Sequence, residues 1–334
     1  MILVTGATGL VGVYLLFEIS KQNKPVAALY RSEERKESVF NFFCKYDPNH
    51  PKQFNQVIWH KGVLNDLVAL EKAFEGVTHV FHCAAFVSLF HHHKYKLQKV
   101  NVEGTANVVN LAVQNNIKKL TYISSIAALG GSEREGLIDE NAVWNINGQH
   151  TAYALSKFEA EMEVWRGTQE GLKTVILNPG VILSTDFWHR SSGVILDRIQ
   201  RGLSFYPTGK LAIVAVEDVV RACLLSYETN ALDQNRYILV SENMSYLSFI
   251  TTMANGFSKK PPRYALSKGK LYMVWFIEYI LQKLMGRKRQ LSKGLINSLC
   301  SQVEYDGSKI EKSAAFKYNA SSHLLEQLIK SQKG

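Results

Sequence analysis

The strongest constraint on this chain is a rhythm. Six short, unbroken apolar runs ("MILVTG", "PVAALY", "QVIWH", "HVFHCAA", "LTYISS" and "KTVILNP") recur through the first 179 residues, with segments of helical length between them. Runs this short, without polar alternation, fit strands buried on both faces. Strands alternating with helices build parallel βαβ units. The expected fold class is therefore α/β, a doubly wound parallel sheet. "LVGVYLLFEISKQ" and residues of roughly 66–75, 94–116 and 152–170 read as its helices. "VFNFFCKYDPNHPKQFN", between the second and third strands, reads as a surface excursion. After residue 179 the alternation breaks, resuming at "LAIVAVEDVVRACLLSY", which is expected to return a strand and a helix to the sheet. The expected division is a nucleotide-binding domain over 1–179 plus about 211–240, and a smaller, mostly helical substrate lobe over about 180–210 and 241–334.

A chain of 334 residues, 46% hydrophobic and 20% charged, suits a globular unit with an attached lobe. The net charge of +10 favours anionic ligands: dinucleotides, phosphorylated or CoA-linked molecules, nucleic acid or acidic lipid. With no basic-aromatic recognition motif, nucleic acid is not expected as a partner. Cys44, Cys83, Cys223 and Cys300 form no CxxC, which argues for a reducing, cytoplasmic setting rather than a disulfide framework. Cys83 reads as a small core residue. The first strand begins at Ile2, so no secretory leader is expected. "LYMVWFIEYILQKLM" (271–285) contains Glu278 and is shorter than the roughly 20 apolar residues of a membrane span. It is expected to pack within the second lobe. The lesser alternative is weak peripheral membrane contact through 271–289, with Trp275 and Phe276 inserted. The run His91-His92-His93 lacks companion ligands, and no metal is expected. As a loop it could border a substrate mouth. His82 and His150 carry no pattern.

Chemistry concentrates in three places. In "TGATGLVG", Gly6, Gly9 and Gly12 join the first strand to the first helix, permitting a tight turn and close backbone approach to a pyrophosphate. The amides of Thr8, Gly9, Leu10 and Val11, at the positive end of that helix, would donate to it. In "YALSK", Tyr153 and Lys157 stand four apart, on one helical face. An ammonium beside a phenol lowers a pKa otherwise near 10, preparing proton exchange near neutrality. Ser124 and Ser125 close the fifth strand.

The GxxGxxG spacing after Thr5, "YISSIAALG" and "YALSK" together resemble the extended branch of the short-chain dehydrogenase/reductase superfamily over about residues 1–240, and the tail more loosely. The resemblance implies a Rossmann-type sheet, an NAD(P) cofactor and a small carbonyl or alcohol substrate. It makes Ser125 the residue that holds the reacting oxygen, with Ser124 in support. Tyr153 becomes the proton donor, Lys157 the group that tunes it and holds the ribose, and Asn101 the support of a water relay. Arg31 and Ser32 follow the second strand where an acid would suit NAD; a guanidinium suits a 2′-phosphate, so NADP is favoured over NAD, with Glu33 and Glu34 keeping NAD open. In "GVLND" Val63 replaces the family's aspartate, and Leu64 retains a backbone amide for the adenine. Ala84 and Ala85 would lie against the cofactor, and Pro179 and Ile182 beside the nicotinamide. Ile126 and Ala127 after Ser125 replace the acid pair of sugar-nucleotide dehydratases, which disfavours dehydration. "YALSKFEAE" and Asn178-Pro179 are most similar to dihydroflavonol 4-reductases, cinnamoyl-CoA reductases and 3β-hydroxysteroid dehydrogenase-like proteins. The alternatives are a nucleotide-sugar epimerase with tightly bound NAD and a non-catalytic NADP-sensing protein. Relatives pair through helices like 94–116 and 152–167, so a homodimer is expected.

Overall fold

The computed structural model describes residues 1–47, 50–130, 136–187, 193–285 and 291–331. Seven strands form one sheet: β1 (Ile2–Thr5), β2 (Val26–Tyr30), β3 (Ile58–Lys61), β4 (His79–His82), β5 (Lys119–Ile123), β6 (Thr174–Pro179) and β7 (Asn235–Leu239). They pair in the order β7-β6-β5-β4-β1-β2-β3, every pair parallel. Successive side chains of a strand point to opposite faces, and both faces of this sheet are covered. Ile2 and Val4 of β1 pack with Val13 and Leu16 of the helix Leu10–Lys21, and with Val219 and Cys223 of the helix Val216–Glu228. Leu3, between them, joins Leu70, Val108, Val109, Ala160 and Val164 on the other side. Those residues come from the helices Leu67–Phe74, Gly104–Gln114 and Ala152–Gln169. The doubly wound, Rossmann-type sheet is therefore present.

The excursion after β2 is not superficial. It folds into the helices Glu33–Tyr46 and His50–Gln56, and Val39, Phe42, Phe43 and Phe54 are buried. Phe43 lies edge-on to Phe17 of the first helix at 5.0 Å between ring centroids and to Phe54 at 5.8 Å. The apolar spacing within "VFNFFCKY" had no outlet except the sheet's flank. The far end of this helix reaches the chain after β6: Asp186 accepts hydrogen bonds from Tyr14 Oη (2.5 Å), Tyr46 Oη (2.6 Å) and Lys45 Nζ (2.7 Å). Burial opposes ionisation there, but these donors prevail and hold the Asp186 carboxyl below its ordinary range.

The strand in "LAIVAV" takes a different partner from the one expected. Lys210–Ala215 pairs parallel with Val181–Leu183 and antiparallel with Glu242–Ser245 in a separate three-stranded sheet. The strand that returns to the main sheet is β7, whose "NRYIL" register on β6 runs from Asn235↔Val175 to Leu239↔Pro179. The helix Val216–Glu228 does pack on the main sheet. The small sheet has its own core with Phe249 and Met253 of the helix Tyr246–Gly256 and Leu324 and Leu328 of the helix Ser321–Lys330.

The helix Lys268–Met285 reverses the expectation of a packed lobe helix. Leu271 is its one buried residue, while Met273, Phe276, Ile277 and Leu284 are exposed. Among the described residues no helix is long and apolar enough to cross a membrane.

Because Phe43 is completely buried in an aromatic cluster, Phe43→Ala should lower the unfolding free energy by about 3–5 kcal/mol, as large-to-small core changes do. A loss below about 1 kcal/mol in denaturant titration would return the excursion to the periphery.

Candidate active site

Parallel strands carry their carboxyl ends to one edge, and the glycine loop leaves β1 there. Gly6 has a φ of +67°, and a Cβ on it would stand 2.5 Å from Ala84 N and 2.6 Å from Ala84 Cα. Only hydrogen fits between this turn and the chain leaving β4. A Cβ on Gly12 would collide with the Gly6 carbonyl. Gly9, exposed, opens the first helix with no side-chain cap and no acid in the first turn. Uncapped amides at the positive end of a helix, with nothing anionic to compete, fit a pyrophosphate. Thr8, Leu10 and Val11 stand in this turn; Val11 is buried and takes its place in the core.

The other expected cofactor residues lie along the same edge or just beyond it. Arg31 is exposed immediately after β2, and Ser32 caps the helix Glu33–Tyr46 without a side-chain bond. Glu33 is engaged by Tyr30 Oη at 2.8 Å and Lys61 Nζ at 3.4 Å, which leaves it partnered beside Arg31. Val63 is exposed, Leu64 is buried against Gly104, and the Leu64 carbonyl accepts from Asn107 Nδ2 at 3.0 Å. Ala84 and Ala85 follow β4, Pro179 ends β6 and is buried, and Ile182 is half-buried in the small sheet's first strand.

Ser124 and Ser125 end β5 beside β6, where Ser124 N donates to Leu177 O at 2.7 Å. Their side chains part. Ser124 turns inward: its hydroxyl donates to Glu161 Oε2 at 2.7 Å, and the same oxygen accepts from Asn178 Nδ2 at 2.9 Å. Glu161 is paired with Arg236 Nη1 at 3.2 Å. Ser124 thus anchors the strand end instead of facing a substrate. Ser125 is half-buried, caps the short turn Ile126–Leu129 by accepting from Ala127 N at 3.2 Å, and has its carbonyl fixed by Asn178 Nδ2 at 3.0 Å. Thr151 caps the helix Ala152–Gln169 through Ala154 N at 3.0 Å and so places Tyr153 in the first turn. Burial pushes the Tyr153 phenol up to about 12, and a hydrogen bond with Ser125 is the opposing influence.

The Lys157 amine points at a different phenol from the Tyr153 expected for it. It is 1% exposed, and its Nζ donates to Tyr122 Oη at 2.7 Å and to the Ile123 carbonyl at 2.8 Å. Burial brings the amine down to about 7, against the pull of nearby Glu161. An amine half discharged at neutrality, aimed at another phenol, lowers Tyr153 little; desolvation dominates both groups. Asn101 sits within a π-helical segment, Gln98–Glu103, a distortion common at functional sites. Its amide is occupied by Phe86 N (2.7 Å), Phe86 O (3.0 Å) and Ser156 Oγ (3.0 Å).

Residues without a sequence signal complete the surroundings. Tyr122 stacks on His82 at 5.3 Å and interacts with the Thr105 hydroxyl. His82 bridges Thr105 Oγ1 at 2.9 Å and Thr5 Oγ1 at 2.7 Å, and burial keeps it neutral, down to about 3. A buried hydrogen-bonded chain therefore runs from Lys157 through Tyr122, Thr105 and His82 to Thr5, the residue before the glycine loop. Burial also pushes the Cys83 thiol up to about 12. Among the described residues, no group of His, Cys, Asp and Glu could hold a metal ion. His93 Nδ1 is bonded to Ser88 Oγ at 2.8 Å.

Comparison with known proteins agrees with this architecture. The model of the NAD dependent epimerase/dehydratase family matches residues 2–240. A putative dihydroflavonol 4-reductase of Synechocystis sp. is 28% identical over 312 residues, covering 92% of this chain and 87% of its own. The crystal structure of gox2253 superposes with a TM-score of 0.80 at 25% identity, over 100% of this chain and 98% of that one. The UDP-glucose 4-epimerase of Thermus thermophilus, solved in complex with NAD, shares the fold at a TM-score of 0.74 and 19% identity, over 100% and 99% of the two chains.

The folded pKa of Lys157 is about 7 against an ordinary 10.5. Between those values the unfolded chain binds a proton that the folded chain does not, so stability should rise with pH across this window, by at most about 5 kcal/mol. Lys157→Met should remove that rise in unfolding titrations at successive pH values. A slope unchanged in the variant would mean another group carries it.

Proposed function

The chain belongs to the NAD dependent epimerase/dehydratase family, and on that premise we propose that it is an NAD(P)-dependent reductase of a small apolar ketone or aldehyde. The observation that carries the reading is Tyr153: half-buried, bonded to Ser125, with a phenol held at about 12. Such a phenol carries its proton through the neutral range, and it stands beside the Ser125 hydroxyl, so the two can meet one carbonyl oxygen. A bound cofactor's charge is what would have to bring the phenol nearer the working pH.

When bound at the glycine loop, the dinucleotide supplies the hydride. Ser125 Oγ holds the substrate oxygen, and Tyr153 Oη delivers a proton to it as negative charge develops. Lys157 and Tyr122 fix the floor beneath them. NADP is the preferred form, since Glu33 is engaged by Tyr30 and Lys61 while Arg31 stands exposed at the end of β2. An apolar substrate is favoured by the chain following Ala85, where Val87, Leu89 and Phe90 are 50%, 49% and 40% exposed. Apolar side chains held out beside a site line it for apolar ligands. A homodimer paired through the helices of 94–116 and 152–167 belongs to the same proposal.

Titration of the purified protein with NADPH and NADH, followed by loss of reduced-cofactor absorbance with carbonyl substrates, tests the proposal. Tyr153→Phe should cost at least about a hundredfold in kcat/KM and leave cofactor affinity unchanged. Turnover that survives the change refutes the proton donor. NAD retained through purification without net turnover would favour epimerisation instead. Arg31→Ala should weaken NADPH about tenfold and NADH little; equal losses would remove the 2′-phosphate assignment.

A further inference from the structure

The positive charge of this protein is concentrated in one segment. Residues 257–300 hold ten Lys or Arg against a single acid, Glu278, and so account for nine of the chain's ten net positive charges. Three of the ten, Arg287, Lys288 and Arg289, lie outside the described residues. The other seven (Lys259, Lys260, Arg263, Lys268, Lys270, Lys283 and Lys293) are all exposed. Glu278 is half-buried, its Oε2 accepting from Leu291 N at 2.9 Å.

The helix Lys268–Met285 lies within this segment with its apolar side outward. Met273, Val274, Phe276, Ile277, Ile280 and Leu284 are 65%, 42%, 54%, 51%, 40% and 77% exposed. Their spacing of three and four residues places them on one face. The opposite face is held by the protein. Leu271 is buried, Tyr272 Oη reaches Asn297 Oδ1 at 3.5 Å, and Lys293 Nζ lies 5.3 Å from the Trp275 ring. Asn297 and Lys293 belong to the helix Lys293–Cys300, whose Gly294 abuts the backbone of His150 and Thr151, at the cap of the Tyr153 helix.

An outward apolar face of this extent marks an interaction surface, and the charge around it decides the partner. A second copy docked through the same face would, by two-fold symmetry, bring two strongly positive segments together. A nucleic acid would satisfy the lysines and leave the apolar side chains in water. A surface presenting anionic headgroups over an acyl layer satisfies both. The helix is not apolar enough to cross. We propose that the helix Lys268–Met285 docks flat on anionic membrane, its apolar face in the acyl boundary and the surrounding lysines among the headgroups.

Flotation of the full-length protein with phosphatidylcholine vesicles, with and without phosphatidylglycerol, tests this independently of catalysis. The protein should float with the phosphatidylglycerol vesicles, stay behind with phosphatidylcholine alone, and be released by raised salt. Two variants separate the contributions: Phe276→Asp with Ile280→Asp, and Lys268→Glu with Lys270→Glu and Lys283→Glu. Each should lower the vesicle-bound fraction at least about tenfold while the thermal midpoint stays at the wild-type value. No flotation by the wild type overturns the proposal, as does either variant floating like the wild type. So does light scattering in which the Phe276/Ile280 variant turns a wild-type dimer into a monomer, because a second copy would then be what covers the face.

Discussion

A primary amine buried to 1% exposure beneath a seven-stranded sheet governs the centre of this molecule. An isolated ammonium in such a place is prohibitively costly, so the group must be hydrogen-bonded, discharged or both. Lys157 does both. Its bonds to Tyr122 and the Ile123 carbonyl require β5 to stand at one height relative to the helix Ala152–Gln169. That same height brings Ser125 to Tyr153. The relative placement of Ser125 and Tyr153 is thus a consequence of satisfying a buried amine.

A second buried polar group holds the strand end from the other side. Glu161, one helical turn beyond Lys157, takes Ser124, Asn178 and Arg236. Arg236 also donates to the carbonyls of Glu140 and Ala142 at 2.7 and 2.8 Å, so β7 and the chain near 140 join the same network. Glu161 and Lys157 lie on one helix, and the carboxylate pulls on the amine, yet each is satisfied by its own partners. Burial outweighs that pull, which is what brings the amine down to about 7.

Much of this could be read from the sequence, because the parts that were legible are set by backbone demands. Gly6 and Gly12 have no alternative residue that fits their contacts with Ala84 and the Gly6 carbonyl, and strands buried on both faces cannot conceal their composition. The Tyr153–Lys157 spacing fixes a shared face but not what lies opposite it, so Tyr122 as the lysine's partner left no trace. His82, Thr105 and Thr5 are separated by 23 and 77 residues along their two bonds, and no local pattern records such a chain. The small-sheet strand Lys210–Ala215 and β7 carry the same apolar signal, and only the register of their neighbours decides which sheet receives each. Amphipathic spacing within 268–285 was visible too, but periodicity does not say which face meets water.

That last ambiguity has a physical resolution in this chain. An apolar helical face ordinarily turns inward because burial is the largest gain available. In the helix Lys268–Met285 the inward positions hold Tyr272, Trp275 and Tyr279, half-buried aromatic residues that can each supply a polar atom. Tyr272 spends its hydroxyl on Asn297, and Trp275 stacks on Tyr279 at 5.9 Å. A face with amphipathic rings can pack on the helix Lys293–Cys300 and still satisfy its polar atoms there, as Asn297 and Lys293 show by meeting Tyr272 and Trp275. The two faces are therefore apolar in different ways, and the one left outside is the one without hydrogen-bonding atoms. Such a face is at rest only against something equally unable to hydrogen-bond.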